Sequence, residues 1–549
     1  MRKITITLLS MLLAVNLTFA GGLVTNTNQS AAWARMLVRD ASTSIDAVYF
    51  NPAGLTKLSD GFYISLSNQS IYQTQTITSS FPNLNNNTFL GKVTAPIFPD
   101  IYMAYKTGKW AFSLGFNAIG GGGGAEFSTG VPLAEVPIAG AALGFGPSGA
   151  NLGVTGYSDD MYLKGTSAYF GLQLGVSYAI SDNVSVFAGG RYVMARNAYT
   201  GYLKDIKFNL SSGGSVRADD FMNSVAAQAT AGAAGATGAG TGLQPLLDGG
   251  AGAYTFDQVV AGGYMTAAQA AALKGALGQF GFTSDQINAM SITTAQASFF
   301  GVATQLTAQA AQLHGGAILM ADQTLDAKQS GNGFTPIIGA NLSFADDNLN
   351  IGIKYEFKTN LTLTNSTVAG KGFVMGLNPD GSKIEMFPDG AKTNADIPST
   401  LSVGIKYNIN KIVSLQGGMH LYGDRGTGWK DVKTKVGKNY QEYGLGAEFN
   451  VTPSLLLSAG YLYSLSGVNQ SYQSNLSYSL TANTVGAGGA YKISDRVTLQ
   501  LGAYLVNYSP KTYKMSEMVG TTAIPYTTKY EKSTWAVSFG LDFSLAKKK

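Results

Sequence analysis

From Leu349 the chain settles into a period of two: Leu349, Ile351, Ile353, Tyr355 and Phe357 alternate with Asn350, Gly352, Lys354 and Glu356. The pattern recurs in Phe170/Leu172/Leu174/Val176/Tyr178, in Val497/Leu499/Leu501/Ala503/Leu505 and in Trp535/Val537/Phe539/Leu541/Phe543. Successive side chains of a strand point to opposite faces, so each stretch has one apolar and one wet face. In a soluble sandwich the apolar face is a core. In an outer-membrane barrel it faces lipid, and about ten residues suffice to cross. Alternation alone fits both.

The connections separate them. Short polar turns at Thr107-Gly108-Lys109, Ser181-Asp182-Asn183, Asp346-Asp347-Asn348, Asn408 to Lys411, Thr452-Pro453-Ser454 and Ser494-Asp495-Arg496 alternate with long irregular stretches. Short periplasmic turns and long outer loops are the pattern of a bacterial barrel, and counting strands around these turns yields about fourteen, an even number that leaves both ends in the periplasm. Tyr178, Tyr355, Tyr407, Tyr461 and Trp535 lie toward strand ends, where aromatic girdles border the bilayer. The expected fold is an all-β membrane protein, an antiparallel transmembrane β-barrel in a Gram-negative outer membrane.

Composition agrees. Only 13% of the 549 residues are charged, whereas Gly numbers 69, Tyr 29 and Phe 27. Past the N-terminus no long uninterrupted apolar run argues for a membrane-spanning helix. Cysteine is absent, so disulfides cannot hold this exported chain together, whereas a closed hydrogen-bonded barrel can. The net charge of +5 is scattered along the sequence, which gives no footprint for nucleic acid. Met1 to Ala20 reads as a secretion signal: Arg2 and Lys3, an apolar stretch from Ile4 to Leu17, then Thr18-Phe19-Ala20 before Gly21.

Residues 21–61 do not alternate. They contain Asp40-Ala41-Ser42-Thr43-Ser44-Ile45-Asp46-Ala47 and then Val48-Tyr49-Phe50-Asn51-Pro52-Ala53-Gly54-Leu55. Asn51-Pro52 fits the end of a short helix or a turn before the first strand. With these residues the chain resembles the FadL/TodX group of outer-membrane transporters for long-chain fatty acids and other hydrophobic compounds, whose plug segment carries an Asn-Pro-Ala motif at this place. Ala125-Glu126-Phe127, the Gly189 to Arg196 strand and Ile397-Pro398 are similar as well. The resemblance spans most of the barrel but not the region of about 210 to 330.

That resemblance implies a 14-stranded barrel closed from inside by an N-terminal hatch, with Asn51, Pro52 and Ala53 as the hatch motif. It implies capture of ligand outside the cell and release sideways into the bilayer through a kink in the third strand. Carried over, the kink falls at Gly120, Gly121, Gly122, Gly123 and Gly124, and Leu23 takes the place of a pocket-lining aromatic. Consecutive glycines have their own reading: they cannot keep ordinary ladder packing, which fits either a breach of the wall or the start of a flexible outer loop.

Several groups on the wet face are candidates for ligand contact. Arg191, Lys354, Glu356 and Lys406 point inward by alternation, and they could meet a ligand carboxylate or pair with Arg39, Asp40 and Asp46 of the hatch. Phe187, Val193, Ile337, Leu456, Leu462 and Val506 are apolar on the same face, which fits a greasy pocket or packing against the hatch.

Between strands five and six, residues 205–332 form an alanine- and glycine-rich insertion that reads as helical. Leu273, Leu277 and Phe280 share one helical face, and Phe299, Val302, Leu306, Ala310 and Leu313 another. Ala231 to Gly242 and Asp248 to Ala253 read as hinges. The insertion lies outside the cell, as a capture lid or as a hairpin packed on itself.

Catalytic patterns are missing. His314 and His420 are the only histidines and neither has a metal-ligand partner at helical spacing. His314-Gly315-Gly316 lacks a Gly-x-Ser-x-Gly nucleophile, and Gly144-Phe145-Gly146-Pro147-Ser148-Gly149 has no βαβ surroundings. No enzyme, cofactor or metal is expected. The functional expectation is passive uptake of hydrophobic molecules, most of all long-chain fatty acids, with aromatic hydrocarbons or a surface adhesin barrel as alternatives. Expected partners are outer-membrane lipid and the barrel assembly machinery, for which Phe543 is the last aromatic before Lys547, Lys548 and Lys549; a monomer suffices.

Overall fold

The computed structural model describes residues 30–121, 125–147, 149–520 and 522–546. The secretion signal, Leu23, Gly122, Gly123, Gly124 and the final three lysines therefore lie outside the described residues. The alternating stretches pair as expected. They form β1 (Gly61–Ser79), β2 (Pro99–Thr107), β3 (Trp110–Gly121), β4 (Val154–Ala179), β5 (Val184–Leu210), β6 (Gln323–Phe344) and β7 (Leu349–Glu356). The second half comprises β8 (Thr400–Asn408), β9 (Val413–Tyr422), β10 (Gln441–Asn450), β11 (Leu455–Leu465), β12 (Ala482–Ser494), β13 (Val497–Tyr508) and β14 (Thr522–Ala546).

Each strand pairs antiparallel with its sequence neighbour, and β14 closes on β1 from Gly61↔Ala546 to Ser79↔Thr528. The result is a closed barrel of 14 strands. Closure pairs the backbone groups that an open edge would expose to hydrocarbon. All six short turns foreseen from the sequence join β2/β3, β4/β5, β6/β7, β8/β9, β10/β11 and β12/β13. Outward residues such as Leu174, Phe334, Leu445, Leu501 and Phe539 are exposed, forming the lipid-facing surface. Trp110 and Tyr178 lie tilted against each other at 4.5 Å at the periplasmic strand ends, where a girdle borders the bilayer, and Tyr72 stacks on Trp535 at 4.3 Å farther out along β1 and β14.

The outer connections build a cap. A helix, α1 (Pro132–Phe145), is apolar on nearly every side and packs with Phe81, Phe89, Phe208, Met222, Leu313 and Phe387 in one cluster. β5 and β6 run further than the 205–332 bounds allow, and the helical part of the insertion spans α2 (Ala218–Gly242) to a last long helix, α3 (Ile292–Met320). Leu277, Phe299, Ile287 and Ala303 form a core of its own, while Ala218, Met222, Leu313 and Ala317 join the cap.

One expectation is corrected. Ala231 to Gly242 is not a hinge but the second half of α2. Its small residues are used for close approach: a Cβ on Gly240 would lie 2.9 Å from the Phe300 ring, and one on Gly232 3.1 Å from Leu306. Glycine lowers helix propensity, but tight packing on α3 overrides that cost.

Candidate functional site

Residues 30–60 fold back inside the barrel as the hatch. Two short helical turns, Ala31–Ala34 and Ala47–Phe50, and a 3-10 turn, Pro52–Lys57, leave much of the backbone without repetitive structure, and the barrel wall satisfies it. The motif residues are central. Asn51 donates to the Ser42 carbonyl at 3.0 Å and to Asn341 Oδ1 at 2.8 Å; the Pro52 carbonyl accepts from Ser177 Oγ at 2.6 Å, and that of Ala53 from Ser185 Oγ at 2.8 Å. Gln173 reaches the Val48 carbonyl at 2.6 Å.

The hatch carries buried charge with built-in partners. Arg39 forks onto Asp46 at 2.6 and 3.0 Å, and both Arg39 and Arg35 meet Glu448 of β10, at 3.3 and 2.9 Å. Asp40 meets His420 Nε2 at 2.8 Å, while the other ring nitrogen faces Glu442 at 3.0 Å. Arg191 and Lys354 do not bind a hatch carboxylate, because both pair with Glu356, at 2.6 and 2.7 Å, and both flank the Tyr49 ring. Lys354 also donates to the Tyr49 carbonyl at 2.7 Å. Lys406 stands 3.7 Å from Glu448. Thus Asp46 stays within the hatch and His420, which had no role in the sequence, is the wall partner of Asp40.

The inward apolar residues divide. Phe187 and Ile337 pack on Ala53. Val193 joins Ile45, Val48, Tyr49, Phe50 and Leu55 of the hatch. Leu462 is buried, while Leu456 lines a cavity of about 1020 Å³ shared with Arg35, Asp46, Lys406, Glu448 and Asp542. That cavity also touches the turns at 408–411 and 452–455, so it is the periplasmic vestibule beneath the hatch, and it is polar rather than greasy.

Glycines seat the hatch, a feature the sequence reading passed over. Gly352↔Gly404, Gly404↔Gly418, Gly418↔Gly444, Gly446↔Gly460 and Gly488↔Gly502 are neighbours across the ladder from β7 to β13. Side chains at Gly352 and Gly460 would run into the carbonyls of Asp40 and Met36, and a Cβ on Gly502 would come within 2.7 Å of the Arg35 nitrogen. Seven strands thus offer a smooth channel for the main chain of residues 34–40. Only strand register reveals it, because one glycine per strand is unremarkable until the strands are aligned.

The wall is broken beside the hatch. The outer continuation of β2, Thr88–Ala95, pairs with β1, but Pro96-Ile97-Phe98 interrupts the strand before Pro99. Proline donates no ladder hydrogen bond, so two of them three residues apart end regular pairing. Asn68 stitches the break, donating to the Pro96 carbonyl at 3.1 Å and accepting from Phe98 N at 2.8 Å. On β3 the register shifts between Ala118 and Gly120, and Gly121 has φ +96. Between the Asp100↔Asn117 pair and the Lys92↔Glu126 pair, no ladder partners join the two strands among the described residues. Gly120 and Gly121 of β3 and the proline pair Pro96 and Pro99, before and at the start of β2, all lie at this break.

On the outer side of the break, Val131, Leu133, Met161, Leu163, Leu325, Phe373 and Met386 line an apolar crevice at the foot of α1. Within α1, burial, then the charge of Asp159, push the Glu135 carboxyl up to about 7, although Tyr157 donates to it at 2.7 Å.

A closed even-stranded barrel, an apolar outer surface and an inward-folded N-terminal plug define an outer-membrane β-barrel with an internal hatch, placed in the outer membrane of a Gram-negative cell. A family model described as an outer membrane protein beta-barrel domain matches residues 365–543. Among solved structures, a FadL homologue from Pseudomonas aeruginosa shares the fold, with 13% identity over 95% of this chain and 99% of that one and a TM-score of 0.54. The toluene transporter TodX of Pseudomonas putida aligns at 12% identity over 92% and 95% of the two chains, TM-score 0.46. The toluene transporter TbuX of Ralstonia pickettii aligns at 13% over 91% and 94%, TM-score 0.42. No curated protein matches the chain significantly.

Proposed function

We propose that this barrel takes up hydrophobic molecules passively, capturing them at the outer cap and releasing them sideways through the break between β2 and β3. The observation that carries this reading is the pairing of a hatch-filled lumen with a broken wall. Along the axis, a ligand meets Arg39, Asp46, Glu448, His420 and Glu442, all buried and paired. Sideways, it meets Ile97, which is 77% exposed within the break. An acyl chain gains about 0.8 kcal/mol for each methylene kept out of water, so an apolar exit into lipid favours it over a polar vestibule.

The FadL homologue with this fold supports a hydrophobic ligand, and long-chain fatty acids are the first candidates. Asn51, Pro52 and Ala53 then fix the hatch to β6, β4 and β5, Gly120 and Gly121 carry the bend in β3, and the apolar cap around α1 serves capture. Phe187, Val193 and Leu462 support the hatch wall in this scheme, while Arg191 and Lys354 hold Tyr49 rather than the ligand.

The test is uptake of radiolabelled oleate and toluene by cells that lack their own route and carry the full chain. Ile97→Asp puts a charge in the mouth of the break and is expected to slow uptake at least about tenfold, given the cost of a charge at membrane depth. Ile412→Asp, in a periplasmic turn, should leave it unchanged. Saturable uptake absent from the wild type, or undiminished in Ile97→Asp, sinks the reading.

A further inference from the structure

The last paired rung below the wall break is polar. Ser67 of β1 pairs with Asp100 of β2, and Asp100 with Asn117 of β3, all three facing inward; Gln69 stands two residues above Ser67. Gln69 and Asn117 are 0% exposed and Asp100 is 1% exposed.

Two of these side chains have their orientation set by a neighbour. Tyr504 OH donates to Gln69 Oε1 at 3.0 Å, so the Gln69 amide nitrogen is the free end; Asn117 Nδ2 donates to the Ala118 carbonyl at 3.1 Å, so its Oδ1 is the free end. Among the described residues, Gln69 Nε2, Asn117 Oδ1 and both carboxyl oxygens of Asp100 are buried without a hydrogen bond of good geometry, although the Ser67 hydroxyl adjoins Asp100 and the Tyr49 phenol adjoins Asn117. The nearest other carboxyl, Asp542, is already held by Ser65 Oγ at 2.6 Å and Gln500 Nε2 at 2.8 Å. The hatch closes the row from inside, with Trp33 edge-on to Tyr504 at 5.5 Å and Tyr49 stacked on Tyr102 at 6.4 Å.

Leaving such groups unpaired costs about 1–3 kcal/mol each, more for a carboxyl, and a purely structural wall would replace them with apolar residues. Their position at the exit gives them a use. Resting on the transport reading above, we propose that Asp100, Asn117 and Gln69 form a sill that recognises a neutral hydroxyl on the passing molecule, so that the barrel prefers hydroxyl-bearing hydrophobes to plain hydrocarbons. A hydroxyl donates to Asp100 or Asn117 and accepts from Gln69, completing the row. A hydrocarbon leaves all of it unpaired, and a carboxylate anion faces the Asp100 oxygens without a cation to offset them. Discrimination by an added hydroxyl is strong where the site's own polar groups are otherwise unsatisfied.

The probes are ring-labelled p-cresol and toluene, which share a skeleton and differ by one hydroxyl, supplied to cells carrying the full chain. Wild type is expected to take up p-cresol faster than toluene, and Asp100→Leu to lower that ratio about tenfold, the value of one hydrogen bond of ordinary strength. Asp100→Asn keeps an acceptor and should keep most of the preference; Gln69→Leu should lose part of it. Because Asp100→Leu removes an unpaired buried carboxyl, the barrel should remain heat-modifiable and fold at least as well as wild type.

Equal rates for the two probes in wild type, or a ratio unchanged by Asp100→Leu, overturns the sill. Infrared difference spectra of the purified barrel with p-cresol distinguish that failure from a failure of transport. A carboxyl band that shifts in wild type but not in Asp100→Asn supports the sill even if uptake is absent, and no shift overturns it whatever the transport result.

Discussion

The two halves of the barrel hold the hatch by different means. From β7 to β13 the wall is smooth with glycine, and residues 34–40 lie against it by main-chain contact and by ion pairs to Glu448 and His420. From β2 to β6 the wall offers Tyr102, Ile119, Tyr169 and Val193, and Ile45, Val48, Tyr49, Phe50 and Leu55 of the hatch pack against them. The break lies in this β2-to-β6 wall, between β2 and β3. Close backbone contact fixes register and leaves no space to reorganise, whereas apolar packing tolerates shifts of volume. One half therefore anchors the hatch, and the other can accommodate a ligand alongside it.

The largest expected effect breaks the anchoring half. Gly460→Ala drives a methyl into the Met36 carbonyl and should unseat the hatch, exposing Arg35 and Arg39 to trypsin in intact outer membranes. Gly417→Ala, whose Cβ would make ordinary contacts with Leu445 at 3.5 Å, Ile405 at 3.7 Å and the Gly444 carbonyl at 3.8 Å, should stay resistant. Equal trypsin sensitivity in the two variants would mean that the glycine channel does not hold the hatch.

A smaller effect is expected in the apolar half. Val48→Ala removes buried methyls and should lower stability by about 1–2 kcal/mol in urea unfolding, while the hatch stays protected from trypsin. Its uptake rate should change more than its protease resistance; the reverse would erase the distinction between the halves.

The smallest effect concerns the cap above the break. The Glu135 carboxyl is raised to about 7 from an ordinary value of 4.5. A raised carboxyl contributes stability that is complete below the ordinary value and lost as pH climbs through the raised one. Amide protection across Pro132–Phe145, taken as exchange relative to the intrinsic base-catalysed rate, should therefore be weaker at pH 8 than at pH 5, and Glu135→Gln should flatten the difference. Protection independent of pH in the wild type would detach the cap from this carboxyl.

Part of this arrangement was legible before the structure: Asn51-Pro52-Ala53 lies in the non-alternating segment that folds into the barrel, and Gly120 and Gly121 lie where the register of β3 shifts. What was not legible depends on partners distant in sequence. Asp40 finds His420, Arg35 finds Glu448, and Ser67, Asp100 and Asn117 line up on three strands only because register places them there. Alternation makes Arg191 and Lys354 candidates for a ligand carboxylate or for the hatch carboxylates, whereas the folded wall pairs both with Glu356.

Alternation and turn chemistry are local, and by themselves they determined a closed antiparallel barrel, its six periplasmic turns and its apolar outside, because a strand's side chains must alternate whatever it pairs with. The helical insertion was likewise written in its stripes. Only the tertiary structure decided how the hatch is seated, which charges neutralise which, and where the wall stays open. Those outcomes follow from the register of one strand against the next, and a shift of one residue would turn every inward group to the lipid.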